Sequence, residues 1–143
     1  MKPVNIAQFF QQLGQVMQET EQIGGEMHPY YEKIEQEIEK GDDADFSQEL
    51  LAQVALAFED GVDKYNELEK TILMMMAPAK LMILFKQFQS QYQSYVQGCR
   101  DMLAAVDPEQ GFDLTKFQEA EKVQDEKSQA LANTMTKMMR FIR

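Results

Sequence analysis

Apolar residues along the first part of the chain recur at alternating steps of three and four, which places them on one face of an α-helix. Only Thr20 interrupts this face with a polar side chain. Asn5 and Gln8 have the spacing of a capping box, and Gly41 suits the left-handed residue that ends many helices. The pattern predicts a helix over 6–39, with a repeat of Ile6, Phe9, Leu13, Val16, Thr20, Ile23, Met27, Tyr30 and Ile34.

A proline, Pro29, lies inside this predicted helix. Proline has no N–H to donate to the carbonyl four residues back, here that of Gly25, and its ring clashes with that carbonyl. The preceding Gly24–Gly25 pair lets the backbone bend with little steric cost. Because the apolar face keeps its register past Pro29, we predict one helix kinked near Gly24–Pro29, with two separate helices as the alternative.

Three further helices are predicted from the same periodicity. Asp45 and Gln48 have capping-box spacing at the start of a helix over 45–75, and a third helix is expected to run from Pro78 to Val106. Polar and aromatic residues alternate within 85–97, which would instead suit a strand or an aggregation-prone tract. Leu81, Phe88, Tyr92, Tyr95 and Cys99 are predicted to face the core from the third helix.

The fourth helix is predicted over 114–142, with Asp113 or Thr115 as its N-cap. Its stretch 121–129 is weakly apolar, so the middle of this helix is expected to pack thinly. Short connections make consecutive helices antiparallel neighbours, which predicts an all-α, up-down-up-down four-helix bundle forming one domain over 1–143. The alternative is a three-helix bundle in which the second and third helices are fused through a kink at Pro78.

This topology predicts two chemically different ends of the bundle. One end gathers the turns near 40–45 and 107–113, which are rich in aspartate and glutamate. The other end, here called the apolar pole, gathers the N-terminus, the connection near 75–78 and the C-terminus, with basic residues Lys80, Lys137, Arg140 and Arg143. The candidate partner-binding residues at the apolar pole are Phe9, Phe10, Met74, Met75, Met76, Met82, Met138, Met139, Phe141 and Ile142.

Charge and composition restrict the classes of function. The chain has 143 residues and a net charge of −10, which disfavours sequence-independent binding to nucleic acid. The acidic charge is concentrated in residues 1–72, with 16 acidic and 5 basic side chains. The single cysteine cannot form an internal disulfide, and the N-terminal residues have no unbroken apolar run, so we expect a cytoplasmic protein.

Residue patterns that carry chemistry are not found in the sequence. The one histidine, His28, has no glutamate three residues before it, so the Glu-x-x-His pairs of di-iron bundles are not formed. Cys99 lies on the predicted core face of the third helix, away from any histidine that could activate it. Phosphate-binding, dinucleotide-binding and nucleophile-elbow motifs are also lacking. We therefore expect no enzyme activity, no metal, no cofactor and no small-molecule substrate.

The remaining hypotheses concern binding through the apolar pole. Methionine is flexible and polarizable and is common at adaptable binding surfaces. We expect a protein that binds a protein partner, as an adaptor, immunity or secretion-partner protein does, or that associates with a second copy of itself. An alternative is end-on binding to a membrane surface, which the net charge opposes. Another alternative is an apolar ligand, either at the pole or in a pocket beside 121–129.

Overall fold

The computed structural model describes residues 4–141, and over that range the chain is helical with no strand. The predicted four-helix bundle is confirmed. The strand alternative within 85–97 and the fused three-helix alternative are both wrong, because residues 82–104 form a separate helix that follows a non-helical connection at 75–78. The helices are α1 (Ile6–Glu39), α2 (Gln48–Met74), α3 (Met82–Ala104) and α4 (Leu114–Phe141).

The first helix has the bounds that the sequence predicts. Asn5 Oδ1 accepts a hydrogen bond from the Gln8 backbone N–H at 3.1 Å, which caps the N-terminus. Gly41 follows the C-terminal end with φ of +60°, a conformation that favours glycine. Pro29 lies inside a single helix, so the alternative of two separate helices is wrong, while the kink stays a prediction.

The bounds of the other helices differ from prediction by a few residues. Ser47, and not Asp45, caps α2, because its Oγ accepts from the Leu50 N–H at 3.1 Å. Pro78 is extended and precedes a short 3₁₀ turn at Ala79–Leu81, so α3 begins later than predicted. Asp113 caps α4 through a 3.0 Å bond from the Lys116 N–H to Oδ1. Short polar side chains at a helix start thus decided each boundary by hydrogen bonding.

Neighbouring helices in sequence pack against one another, whereas α1 and α4 make few close backbone contacts. The closest approach lies between α3 and α4 at Gly98, where a Cβ atom would lie 3.1 Å from Gln124 Cγ and 3.5 Å from the Ala120 carbonyl oxygen. Buried side chains form two clusters. The first, larger cluster lies toward the apolar pole and includes Phe9, Phe88 and Leu131. The second cluster lies toward the acidic end and includes Phe58, Phe117 and Ala120.

The predicted core positions of α3 are mostly confirmed. Leu81, Phe88, Tyr92 and Cys99 are buried, but Tyr95 is only partly buried, so its prediction as a core residue is wrong. Val96 is fully buried beside it. The exact heptad step does not hold along this helix because an α-helix turns every 3.6 residues, so a 3.5-residue repeat drifts across the face.

Thr20, the polar interruption of the apolar face of α1, is buried and hydrogen-bonded. Its Oγ1 donates to the Val16 carbonyl at 2.8 Å and lies 2.8 Å from the Tyr92 hydroxyl. Its own carbonyl accepts from the Tyr65 hydroxyl at 3.3 Å, and that hydroxyl lies 3.2 Å from the Tyr95 hydroxyl. A polar network therefore connects α1, α2 and α3 inside the larger cluster, with its buried polar atoms satisfied.

Candidate functional site

The apolar pole is built from three chain segments that the antiparallel topology brings together. They are the start of α1, the connection between α2 and α3, and the last turns of α4. Leu81 anchors the connection because it is fully buried in the larger cluster and its N–H donates to the Pro78 carbonyl at 2.9 Å. Gln89 Nε2 also donates to the Ile72 carbonyl at 3.0 Å, which holds the C-terminal end of α2 against α3. The pole therefore has a fixed backbone.

The ten candidate residues divide between core and surface. Phe9, Met75 and Met138 are buried and contribute to the larger cluster, and Phe10 is partly buried against it. The idea that Met75 only covers the core is wrong: it follows the last turn of α2 in an extended conformation and is 8% exposed. Ile142 lies outside the described residues. The candidates that are exposed to solvent are Met74, Met76, Met82, Met139 and Phe141.

Three further exposed apolar residues at the pole were missed by the sequence reasoning. Ile83 is 78% exposed, and Ile6 and Leu73 are exposed to a lesser degree. The available signal was their position: Ile83 lies off the core-facing positions of α3, and Leu73 follows the buried Ile72. Eight of the ten large apolar side chains that are exposed within residues 4–141 thus lie at the apolar pole, and the other two are Leu56 and Leu114.

The charges around the apolar pole have one sign. Residues 6–18, 71–99 and 128–141, which form this end of the bundle, include no aspartate or glutamate. They include Lys80, Lys86, Lys137 and Arg140, each exposed and without an ion pair in the described chain. An apolar surface surrounded by four cations therefore lies on a protein that is otherwise strongly acidic.

The opposite end of the bundle is acidic. The rings of Phe46 and Phe112 stack with centroids 4.1 Å apart, which brings together the turn after α1 and the turn before α4. The carboxylates on these turns are Asp42, Asp43, Asp45, Asp107, Glu109 and Asp113. The described structure therefore has a long axis with a cationic apolar end and an anionic polar end.

The residues with the best-known reactive side chains do not assemble at the apolar pole. Cys99 is buried, and this burial raises the pKa of its thiol to about 12, which keeps it protonated at neutral pH. His28 is exposed and its Nε2 lies 2.8 Å from Glu32 Oε1 on the next turn. Among residues 4–141, no group of three or more histidine, cysteine, aspartate or glutamate side chains is placed to hold a metal ion.

Two comparisons complete the description of this surface. Within the described residues, none of the helices combines the length and the apolar character needed to cross a membrane. No protein-family model, curated protein or solved structure matches this chain.

Proposed function

We propose that this protein is a non-catalytic binding protein, and that its apolar pole docks an acidic, amphipathic segment of a protein partner. The observation that carries the proposal is the grouping of eight exposed large apolar side chains at one end of the bundle. Contiguous apolar surface of this kind is uncommon on a monomer and typically marks a binding site. The buried, protonated thiol of Cys99 supports a role in binding rather than nucleophilic catalysis.

The charges indicate the character of the partner. Four cations surround the apolar surface, and no carboxylate is present in the segments that form it. A partner with apolar side chains on one face and carboxylates beside them would pair with both features. Methionines such as Met74 and Met76 can adapt to the irregular surface of such a segment, because their side chains are unbranched and flexible.

A second copy of the chain is a poorer partner than an acidic segment. A symmetric dimer through the pole would place the four cations of one copy against the same four of the other, which costs free energy. Contact between the pole of one copy and the acidic end of the next would satisfy charge, but a head-to-tail contact does not close and leads to chains of molecules.

A lipid surface is also less well matched to the exposed side chains. Membrane-surface helices commonly place tryptophan or other aromatic residues at the headgroup level. This chain has no tryptophan, and its five tyrosines lie at 30, 31, 65, 92 and 95, away from the pole segments. The exposed pole has methionine, leucine and isoleucine, with Phe141 as its exposed aromatic residue. We place the interaction in the cytoplasm, where a protein with one unpaired cysteine is at home.

A defined peptide tests the proposal. The probe is a synthetic helical peptide with leucine on one face and glutamate on the other, compared by calorimetry with a scrambled peptide of the same composition. Met74→Glu and Ile83→Glu replace exposed side chains, so the bundle is expected to stay folded. Each should weaken binding of the amphipathic peptide by about tenfold or more, the equivalent of ~1.4 kcal/mol. Leu56→Glu is the matched control, since Leu56 is 73% exposed but lies away from the pole.

The results separate the occupants of the pole. Binding of the amphipathic peptide but not the scrambled one, lost in the two pole variants and kept in Leu56→Glu, supports the proposal. Equal binding of both peptides, or no binding, overturns it. Binding to vesicles of phosphatidylcholine and phosphatidylserine that is lost in the same two variants, without peptide binding, would replace it with the membrane alternative. Sedimentation equilibrium of the parent reports on self-association in the same way.

A further inference from the structure

A second site lies midway along the bundle, away from the apolar pole. Because α1 and α4 make few close contacts, a cleft of about 320 Å³ opens between them and reaches α2 and α3. It lies beside Glu121, Gln124 and Asp125, in the part of α4 where thin packing is predicted, and α4 has no buried residue between Ala120 and Leu131. Ligand sites typically occupy roughly 300–1,000 Å³, so this cleft is large enough for a small organic molecule.

The inner surface of the cleft is aromatic and thioether-rich. Four rings line it, and so do the side chains of Met27 and Met102. Two of the rings, Tyr65 and Tyr95, are fixed by the bond between their hydroxyl groups, and Tyr65 also donates to Thr20. Their hydroxyls are therefore engaged within the protein, while the rings remain part of the lining. The four rings belong to Tyr31, Phe58, Tyr65 and Tyr95.

The outer part of the cleft presents hydrogen-bond acceptors. Glu121 and Asp125 lie one helical turn apart on α4, and within the described chain neither forms an ion pair. Gln124 donates through Nε2 to the Gly98 carbonyl at 3.1 Å and to Met102 Sδ, which leaves its Oε1 without a hydrogen bond from residues 4–141. Partial burial and the nearby charge of Asp125 raise the pKa of Glu121.

No lysine or arginine lines the cleft, and its one basic residue, His28, is already bonded to Glu32. Aromatic faces attract cations through their negative quadrupole, and two carboxylates add attraction of the same sign. We propose that this cleft binds a small hydrophobic organic cation, with an aromatic or aliphatic body between the tyrosine rings and an ammonium group against Glu121 and Asp125. The ammonium N–H groups supply the donors that the outer part of the cleft does not have.

A matched ligand series tests the charge requirement directly. The probes share a naphthylmethyl body and have a primary ammonium, a trimethylammonium, a neutral tert-butyl or a carboxylate group. Binding to the full chain is measured by naphthalene fluorescence and by calorimetry. The order expected is ammonium tightest, trimethylammonium next, then the tert-butyl compound at least about tenfold weaker, with no binding of the carboxylate.

Variants test the position of the ammonium group. Glu121→Gln with Asp125→Asn should weaken binding of the two cations by about tenfold or more and leave the tert-butyl compound unchanged. Glu126→Gln is the control, because Glu126 is an exposed neighbour that does not line the cleft. Circular dichroism checks that each variant is folded, and the ligand series on the parent does not depend on any variant. Equal affinity for the ammonium and tert-butyl compounds, no binding of either cation at millimolar concentration, or an equal loss in Glu126→Gln would overturn the proposal.

Discussion

Replacement of Thr20 by valine isolates one buried hydrogen bond at nearly constant shape. Thr20 Oγ1 donates its proton to the Val16 carbonyl, so in the 2.8 Å contact with Tyr92 it is the tyrosine hydroxyl that donates. Tyr92 is fully buried and makes no other hydrogen bond in the described chain. Thr20→Val therefore leaves a buried donor without an acceptor, and we expect a loss of about 1–3 kcal/mol in the free energy of unfolding.

The reciprocal change should cost less. In Tyr92→Phe the donor itself is removed, and Thr20 keeps its bond to Val16, so the expected loss is about 0.5–1.5 kcal/mol, the net contribution of one hydrogen bond. In the double variant two apolar groups face each other with no orphaned donor. Its cost should be close to that of Tyr92→Phe alone, which gives a coupling free energy of roughly 1–3 kcal/mol between the two positions.

Urea denaturation followed by circular dichroism measures all four free energies. Thr136→Val is the matched control, because Thr136 makes the same bond to the carbonyl four residues back, at 3.0 Å to Ala132, on the exposed face of α4. It should change stability by no more than about 0.5 kcal/mol. The reasoning is refuted if Thr20→Val costs no more than this control, or if the double variant costs the sum of the two single ones.

Two further predictions concern the aromatic core. Phe88 is fully buried between Phe85 and Tyr92, so Phe88→Ala should cost about 3–5 kcal/mol in urea denaturation, and a loss below ~1 kcal/mol would contradict its core position. Burial raises the pKa of Tyr65 and Tyr92, and that of Tyr95 to about 12, so the neutral tyrosines stabilise the fold below pH ~10, the unfolded value, and this stability is lost as pH rises above it. In an alkaline titration, phenolate absorbance from these three should appear together with loss of the helical signal; phenolate from all five tyrosines with the helices intact would contradict the prediction.

The sequence was most informative about the helices and least informative about their ends. The three–four spacing of apolar residues places α1 at its observed bounds and assigns most buried positions of α3, because burial of one face is what the pattern encodes. Helix starts depend on which of several nearby polar residues reaches a free N–H. Asp45 and Ser47 are both able to cap a helix, and only the path of the chain after α1 decides between them.

The candidate site was predicted in location but not in membership. Antiparallel topology was enough to bring the chain segments of the apolar pole together. Whether a given methionine is buried depends on one or two backbone angles: Met74 and Met75 are neighbours, yet the first is 81% exposed and the second 8%. The polar role of Thr20 was also outside the reach of periodicity, since its partner Tyr92 lies on another helix.

The interval of α4 between Ala120 and Leu131 also bears on how the bundle unfolds. Phe117 and Ala120 belong to one buried cluster, and Leu131 and Met138 belong to the other. Because no side chain of the interval is buried, the two clusters are connected along α4 by helix alone. The two halves of the bundle therefore act as separate cooperative units, which native-state amide exchange distinguishes by their free energies of opening. Lys122 and Lys127 lie in the interval, so trypsin reaches the chain there through a local opening that leaves both clusters packed.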